Sequence, residues 1–233
     1  MKKKAKRAQE ARLGAMAGHT THFDAKKYYL LRNFGAERRI IFSSQEDYDR
    51  FEAYLYLLNS TDSPRVANYF ADGRERNIFE TGRGEKLIAI GAYSFTPKDF
   101  HVLAAQNIEG GIAKFMQKLQ TAYTMYFNRK YAHSGRVFHS TYKARAAESN
   151  EKLKYFFAHT HLAAAALFDE HWGDANEAEL AQLAANAMKY RYSSAGEYAA
   201  SKFLITSPEA FPKYFSRTKD AASHVKWWSG YKK

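Results

Sequence analysis

The stretch Leu87–Gln106, LIAIGAYSFTPKDFHVLAAQ, constrains the fold of this chain more than any other. Two apolar runs, 87–95 and 100–105, flank a short break of Thr96, Pro97 and Lys98. The first run is rich in strand-favouring residues, and proline cannot donate to a ladder, so Pro97 belongs in the connection. The expectation is a central antiparallel hairpin buried on at least one face. Side chains alternate along a strand, which puts Asp99 and His101 on one face and Phe100 on the other. A carboxylate and an imidazole side by side at the start of a core strand are candidates for a polar site. The same pattern also fits a solvated turn carboxylate and a satisfied, half-buried histidine.

Around this hairpin the chain reads as an α+β domain. Residues 27–32 form a first strand, followed by a turn at 33–35 and a second short run at 39–42. Ser43 or Ser44 then caps a helix, with Glu46 and Asp47 in the first turn, where the helix dipole favours anions. Its apolar positions Tyr48, Phe51, Leu55 and Leu58 recur at helical spacing. After Gly110-Gly111 comes the clearest helix: Ile112, Phe115, Met116, Leu119, Ala122, Tyr123, Tyr126 and Phe127 trace one apolar stripe. Ser149 or Asn150 caps another helix through residue 166, on which His159 and His161, two apart, do not share a face. Beyond residue 168 the composition turns to Ala, Glu and Gln, with helices near 177–188, 208–215 and 221–228. The expected organisation is a basic tail over 1–24, an α+β domain over 25–168 and a helical C-terminal extension over 169–233.

Charge points to the partner. The chain carries 36 Lys+Arg against 24 Asp+Glu, a formal net charge of +12. This favours a polyanion, and nucleic acid before membrane, because no long uncharged apolar segment is present. With no cysteine, disulfides, zinc ribbons and thiol catalysis are excluded. The basic N-terminus lacks the apolar core of a signal peptide, so an intracellular protein is the expectation. Two segments concentrate the charge. The loop 61–85 carries Arg74, Arg76 and Arg83; the segment 128–146, NRKYAHSGRVFHSTYKARA, interleaves Arg129, Lys130, Arg136, Lys143 and Arg145 with Tyr131, Phe138 and Tyr142. That mixture suits phosphate contacts plus base stacking, and equally an edge strand with a solvated face.

Taken together, RRIIFSSQEDYDRF, GAYSFTPKDFHVL, GIAKFMQKLQTAYTMYFNRKY, SGRVF with YKA, the HTHL helix and YRYSS resemble, in family order over roughly residues 28–215, the REP-associated tyrosine transposases. These belong to the HUH single-strand DNA nucleases, close to the insertion-sequence transposases. The resemblance implies a ferredoxin-like antiparallel sheet with packed helices, a homodimer, and a hairpin-forming single-stranded DNA as substrate in a bacterial, cytoplasmic, nucleoid-associated setting. It also implies a Mg²⁺ or Mn²⁺ ion at a His-hydrophobic-His pair, and a tyrosine that attacks the phosphodiester to give a phosphotyrosine intermediate. Carried onto this chain, the metal positions are Asp99 and His101, the nucleophile's place is taken by His159, and the third ligand's place by Ala163. Tyr155, one helical turn before His159, is the displaced candidate nucleophile. The resemblance therefore implies a transposase-like DNA-binding protein with impaired cleavage and rejoining. The alternatives are an active transposase using Asp99, His101 and a displaced nucleophile, and a basic ferredoxin-like RNA-binding module.

Overall fold

The computed structural model describes residues 23–62, 66–70, 78–218 and 220–232. Four strands form one antiparallel sheet: β1 (Tyr28–Phe34), β2 (Ile88–Thr96), β3 (Asp99–Gln106) and β4 (Lys143–Ala147). Their order across the sheet is β2-β3-β1-β4. Helix α1 (Gln45–Leu57) connects β1 to β2, and α2 (Gly111–Lys130) connects β3 to β4. This βαββαβ order with every neighbour antiparallel is the ferredoxin-like α+β arrangement.

The hairpin forms where the apolar runs place it, with Pro97 and Lys98 as its two-residue turn and Thr96 opposite Asp99. Both of its strands are buried almost throughout, because helices cover both faces of the sheet. On one face α1 and α2 bury Phe51, Leu55, Phe115, Leu119 and Tyr123 against Leu31, Phe95, Phe100 and Val102. α1 begins with a capping box between Ser44 and Asp47. Gly111 is a packing requirement, since a Cβ there would lie 2.2 Å from the Leu87 carbonyl oxygen, whereas Gly110 is required by its left-handed backbone at φ +68°.

The opposite face carries α3 (Asn150–Leu162) and the C-terminal helices. Phe156 and Phe157 pack on Leu30, Ala89 and Leu103, together with Tyr198, Phe211 and Phe215. The four C-terminal α-helices are α4 (Glu177–Ala187), α5 (Ala195–Ala200), α6 (Tyr214–Arg217) and α7 (Ala221–Lys232). α4 and α7 build a third apolar cluster with α3, containing Ala158, Leu162, Trp172, Leu180, Val225 and Trp228. The same region shields the outer edge of β2, where Phe95 donates to the Tyr192 carbonyl, Ser194 to Tyr93 and Ser207 to Ile90.

Two local expectations need correction. The run Arg39–Phe42 is not a strand. A short 3₁₀ turn over Ala36–Arg38 precedes it, and the Ile41 and Phe42 amides both donate to the Pro97 carbonyl, so the run braces the hairpin turn. The segment 128–146 is not one edge strand either: Arg129 and Lys130 finish α2, and only its last residues, from Lys143, join β4. Among the described residues no helix is long and apolar enough to cross a membrane.

Candidate nucleic-acid interface

His101 sits in the middle of the sheet, with Arg32 of β1 as its register partner on one side and Ser94 of β2 on the other. Lys143 of β4 pairs with Arg32, and Arg145 pairs with Leu30 two residues along. Alternation along each strand places all five of these side chains on the face covered by α3. Helix α3 lays His159 over His101, the rings perpendicular with centroids 5.2 Å apart. Asp99 lies on the same face, its Oδ1 4.0 Å from His101 Nδ1 and accepting a 2.5 Å hydrogen bond from the Thr96 hydroxyl. The floor is closed and the rim open: His101 is 4% exposed, whereas Arg32 and His159 are half-buried and Lys143 and Arg145 exposed.

Burial, and then the Arg32 charge, push the His101 pKa down to about 3. Burial also takes His159 down to about 3, helped by His101 and Arg32. Both imidazoles are therefore neutral near pH 7. Burial raises the Asp99 carboxyl against the opposing pull of the Thr96 bond, Arg32 and His159. Neither nitrogen of His101 has a hydrogen-bond partner, and Arg32 Nε, Ser94 Oγ and His159 Nδ1 are buried and unpartnered as well. Each such group costs roughly 1–3 kcal/mol of lost solvation.

Tyr155 is brought to the same neighbourhood, one turn before His159. Its ring lies parallel to that of His159 at 5.9 Å and also stacks on Trp228, at 4.9 Å, and Tyr231, at 4.7 Å. Burial raises its pKa, which opposes formation of the phenolate a nucleophile needs. Trp228 of α7 also stacks on His159, at 5.3 Å, so the C-terminal helix roofs this part of the face. Ala163, just past α3, is 5% exposed and offers no ligand atom. His161 points away from this face and hydrogen-bonds His224 and Ser194 instead.

The other basic residues are dispersed. Arg129 is exposed at the end of α2. Lys130 is committed to Asp47, at 2.7 Å, and Glu46, at 3.0 Å. Arg83 turns inward, donating to the Tyr56 carbonyl at 2.5 Å with its guanidinium 3.8 Å above the Tyr56 ring. Arg136 lies on the rim of a cavity of about 650 Å³ between α2 and residues 135–142, away from His101. Arg74 and Arg76 lie outside the described residues. Three residues of the site escaped the sequence reading: Arg32, Ser94 and Trp228. Arg32 carried a usable signal, because it keeps step with Leu30 along β1.

Could this set hold a hard divalent cation? Asp99 supplies one carboxylate, already engaged by Thr96, and the remaining donors are imidazole nitrogens beside a guanidinium. Mg²⁺ and Mn²⁺ prefer several oxygen ligands. Among the described residues no group of three His, Cys, Asp or Glu side chains is placed so that it could hold a metal ion. The residues present do not fit a resident cation of that kind.

No family model matches the chain, and no curated protein matches its sequence. Among solved structures, one of a REP-associated tyrosine transposase bound to a REP hairpin aligns with 7% sequence identity and a TM-score of 0.46, covering 81% of this chain and 88% of that one.

Proposed function

We propose that this chain binds structured, hairpin-forming single-stranded DNA through the sheet face carrying Arg32, Lys143 and Arg145, and that it does so without cleaving the strand. One observation carries the reading: three cationic side chains from neighbouring strands share one face and surround two neutral histidines. Cations so arranged suit a phosphodiester backbone, which contributes most of the affinity in nucleic-acid binding. Tyr231, 41% exposed beside Lys152, adds an aromatic surface of the kind on which unpaired bases stack. The expected impairment follows from the same geometry. His159 occupies the nucleophile's place as a covered, neutral imidazole, Ala163 supplies no ligand, and Tyr155 is clamped in a stack with a raised pKa.

The test is fluorescence anisotropy with a labelled hairpin-bearing oligonucleotide across a salt series. Affinity should fall steeply with salt, with a log–log slope of about −0.7 per phosphate contacted. Lys143→Gln and Arg145→Gln should each flatten that slope by roughly 0.7. Denaturing electrophoresis after incubation with the same DNA and Mn²⁺ should show no covalent adduct. Binding indifferent to salt, or to both substitutions, removes the interface. An adduct abolished by Tyr155→Phe would show instead that the chain is an active transposase.

A further inference from the structure

We propose that the row Arg32–His101–Ser94, roofed by His159, is a receptor for a phosphate oxoanion that works without a resident metal ion. The proposal rests on the DNA-binding reading for the source of that phosphate and goes beyond it by naming the group recognised and the atoms that recognise it. Among the described residues, the buried side-chain nitrogens and oxygens that lack any hydrogen-bond partner are concentrated here. Arg32 Nε, Ser94 Oγ, His101 Nδ1, His101 Nε2 and His159 Nδ1 are all of this kind. Folded proteins pair nearly all such atoms with protein, water or ligand, so a cluster of them on one face is a candidate place for a polar ligand.

The chemistry of the cluster specifies that partner. Arg32 Nε can only donate, the Ser94 hydroxyl can donate, and each neutral imidazole carries one N–H that can be turned to the ligand. A partner that accepts several hydrogen bonds at one place suits the donors of this set, Arg32 Nε above all, which cannot accept. Its charge follows from the surroundings, because Arg32, Lys143 and Arg145 outnumber Asp99 on this face. A cation would be placed beside a guanidinium, whereas an oxoanion would gain from it. Asp99 is the one opposing group. Its carboxylate is turned to the Thr96 hydroxyl at 2.5 Å, and burial favours its protonated form, in which it too can donate. A phosphodiester meets the description, with its oxygens facing the row and its chain leaving past the exposed Lys143 and Arg145.

The full-length protein, with ring-labelled histidines and EDTA present, is titrated with inorganic phosphate and, in a separate metal-free sample, with Mn²⁺. Phosphate should shift the ring nitrogen resonances of His101 and His159, and Mn²⁺ should leave them unbroadened. Arg32→Gln should weaken phosphate binding at least tenfold. Ser94→Ala, which removes a buried hydroxyl without a partner, should weaken it several-fold while leaving the melting temperature unchanged or higher, so loss of binding cannot be blamed on unfolding. Rings unmoved by phosphate, or broadened by Mn²⁺ alone, overturn the proposal. A hairpin oligonucleotide forms the second arm. If it binds in EDTA while phosphate leaves both rings unmoved, the receptor is wrong and the DNA reading stands. If phosphate shifts both rings and the hairpin does not bind, the receptor stands and the DNA reading falls.

Discussion

Two buried polar residues of this chain illustrate opposite solutions to desolvation. Asp47 is fully buried and accepts hydrogen bonds from the Ser43 and Ser44 amides, Lys130 Nζ, and the hydroxyls of Tyr126 and Tyr131, all between 2.7 and 2.9 Å. Burial pushes its pKa up, but the bonds from Lys130, Tyr131, Tyr126 and Ser43 outweigh it and hold the carboxyl below 3.8. Its contribution to stability is therefore complete above that value and lost as pH falls through the lowered one. Asp47→Ala would strand a lysine and two phenols, and should cost about 3–5 kcal/mol in urea denaturation. Asp47→Asn keeps the shape and should cost less; equal loss from both would show that charge, rather than geometry, holds the hub. Glu46, on the same lysine but 59% exposed, should contribute little. His101 is the reverse case: it is 4% exposed, and neither ring nitrogen has a hydrogen-bond partner.

At the scale of elements, β2 shows how the C-terminal region is built into the sheet. The β2–β3 register shifts between Ile90 and Ala92, and the Gly91 carbonyl accepts a 2.6 Å hydrogen bond from the Tyr198 hydroxyl. A Cβ on Gly91 would lie 2.6 Å from the Phe211 ring, which stacks on Phe215 at 5.3 Å. Gly91→Ala should destabilise the protein by roughly 1–3 kcal/mol through overpacking. Combining it with Phe211→Leu should recover part of that loss in a double-mutant cycle; strict additivity would mean that the ring is not the obstacle. The elements legible in the sequence were those with local signals: the hairpin broken at Pro97, the α2 stripe, and the start of α1 at Ser43 or Ser44, with Glu46 and Asp47 in its first turn. The pairing of Asp99 with His101 on one face followed from strand alternation alone. What could not be read was register and docking. Nothing local tells that Arg32 stands opposite His101, that Trp228 returns across about seventy residues to His159, or that Arg83 and Lys130 spend their charge internally. Those are set by tertiary packing, and a chain of basic residues looks the same whether its charges turn outward or in.

The molecule as a whole is closed by a chain of imidazoles. His224 of α7 donates from Nδ1 to the Asp220 carbonyl, which leaves its Nε2 to accept from His161 Nδ1 of α3 at 2.8 Å. His161 Nε2 then accepts from the hydroxyl of Ser194, whose oxygen also takes the Tyr93 amide of β2. Helix, roof and sheet are thus tied together through one hydrogen-bond chain that runs through two buried histidines. Burial depresses both pKa values, assisted at His161 by the neighbouring His224 and opposed at His224 by the Asp220 carbonyl. The unfolded chain takes up protons at these residues as pH drops below about 6.5, and the folded chain resists. Stability is therefore intact above that value and declines below it, by up to about 1.4 kcal/mol per pH unit for each histidine. His101 and His159 act in the same sense. Thermal denaturation should give a melting temperature that is flat above pH 7 and falls between pH 6.5 and about 5, before most carboxylates titrate. His224→Gln, which can keep one hydrogen bond but cannot take a proton, should lower stability at pH 7.5 and make its decline shallower. A melting temperature that does not change between pH 7.5 and 5, or a decline as steep in His224→Gln as in the parent, would mean that the imidazole chain does not hold the C-terminal helix to the sheet.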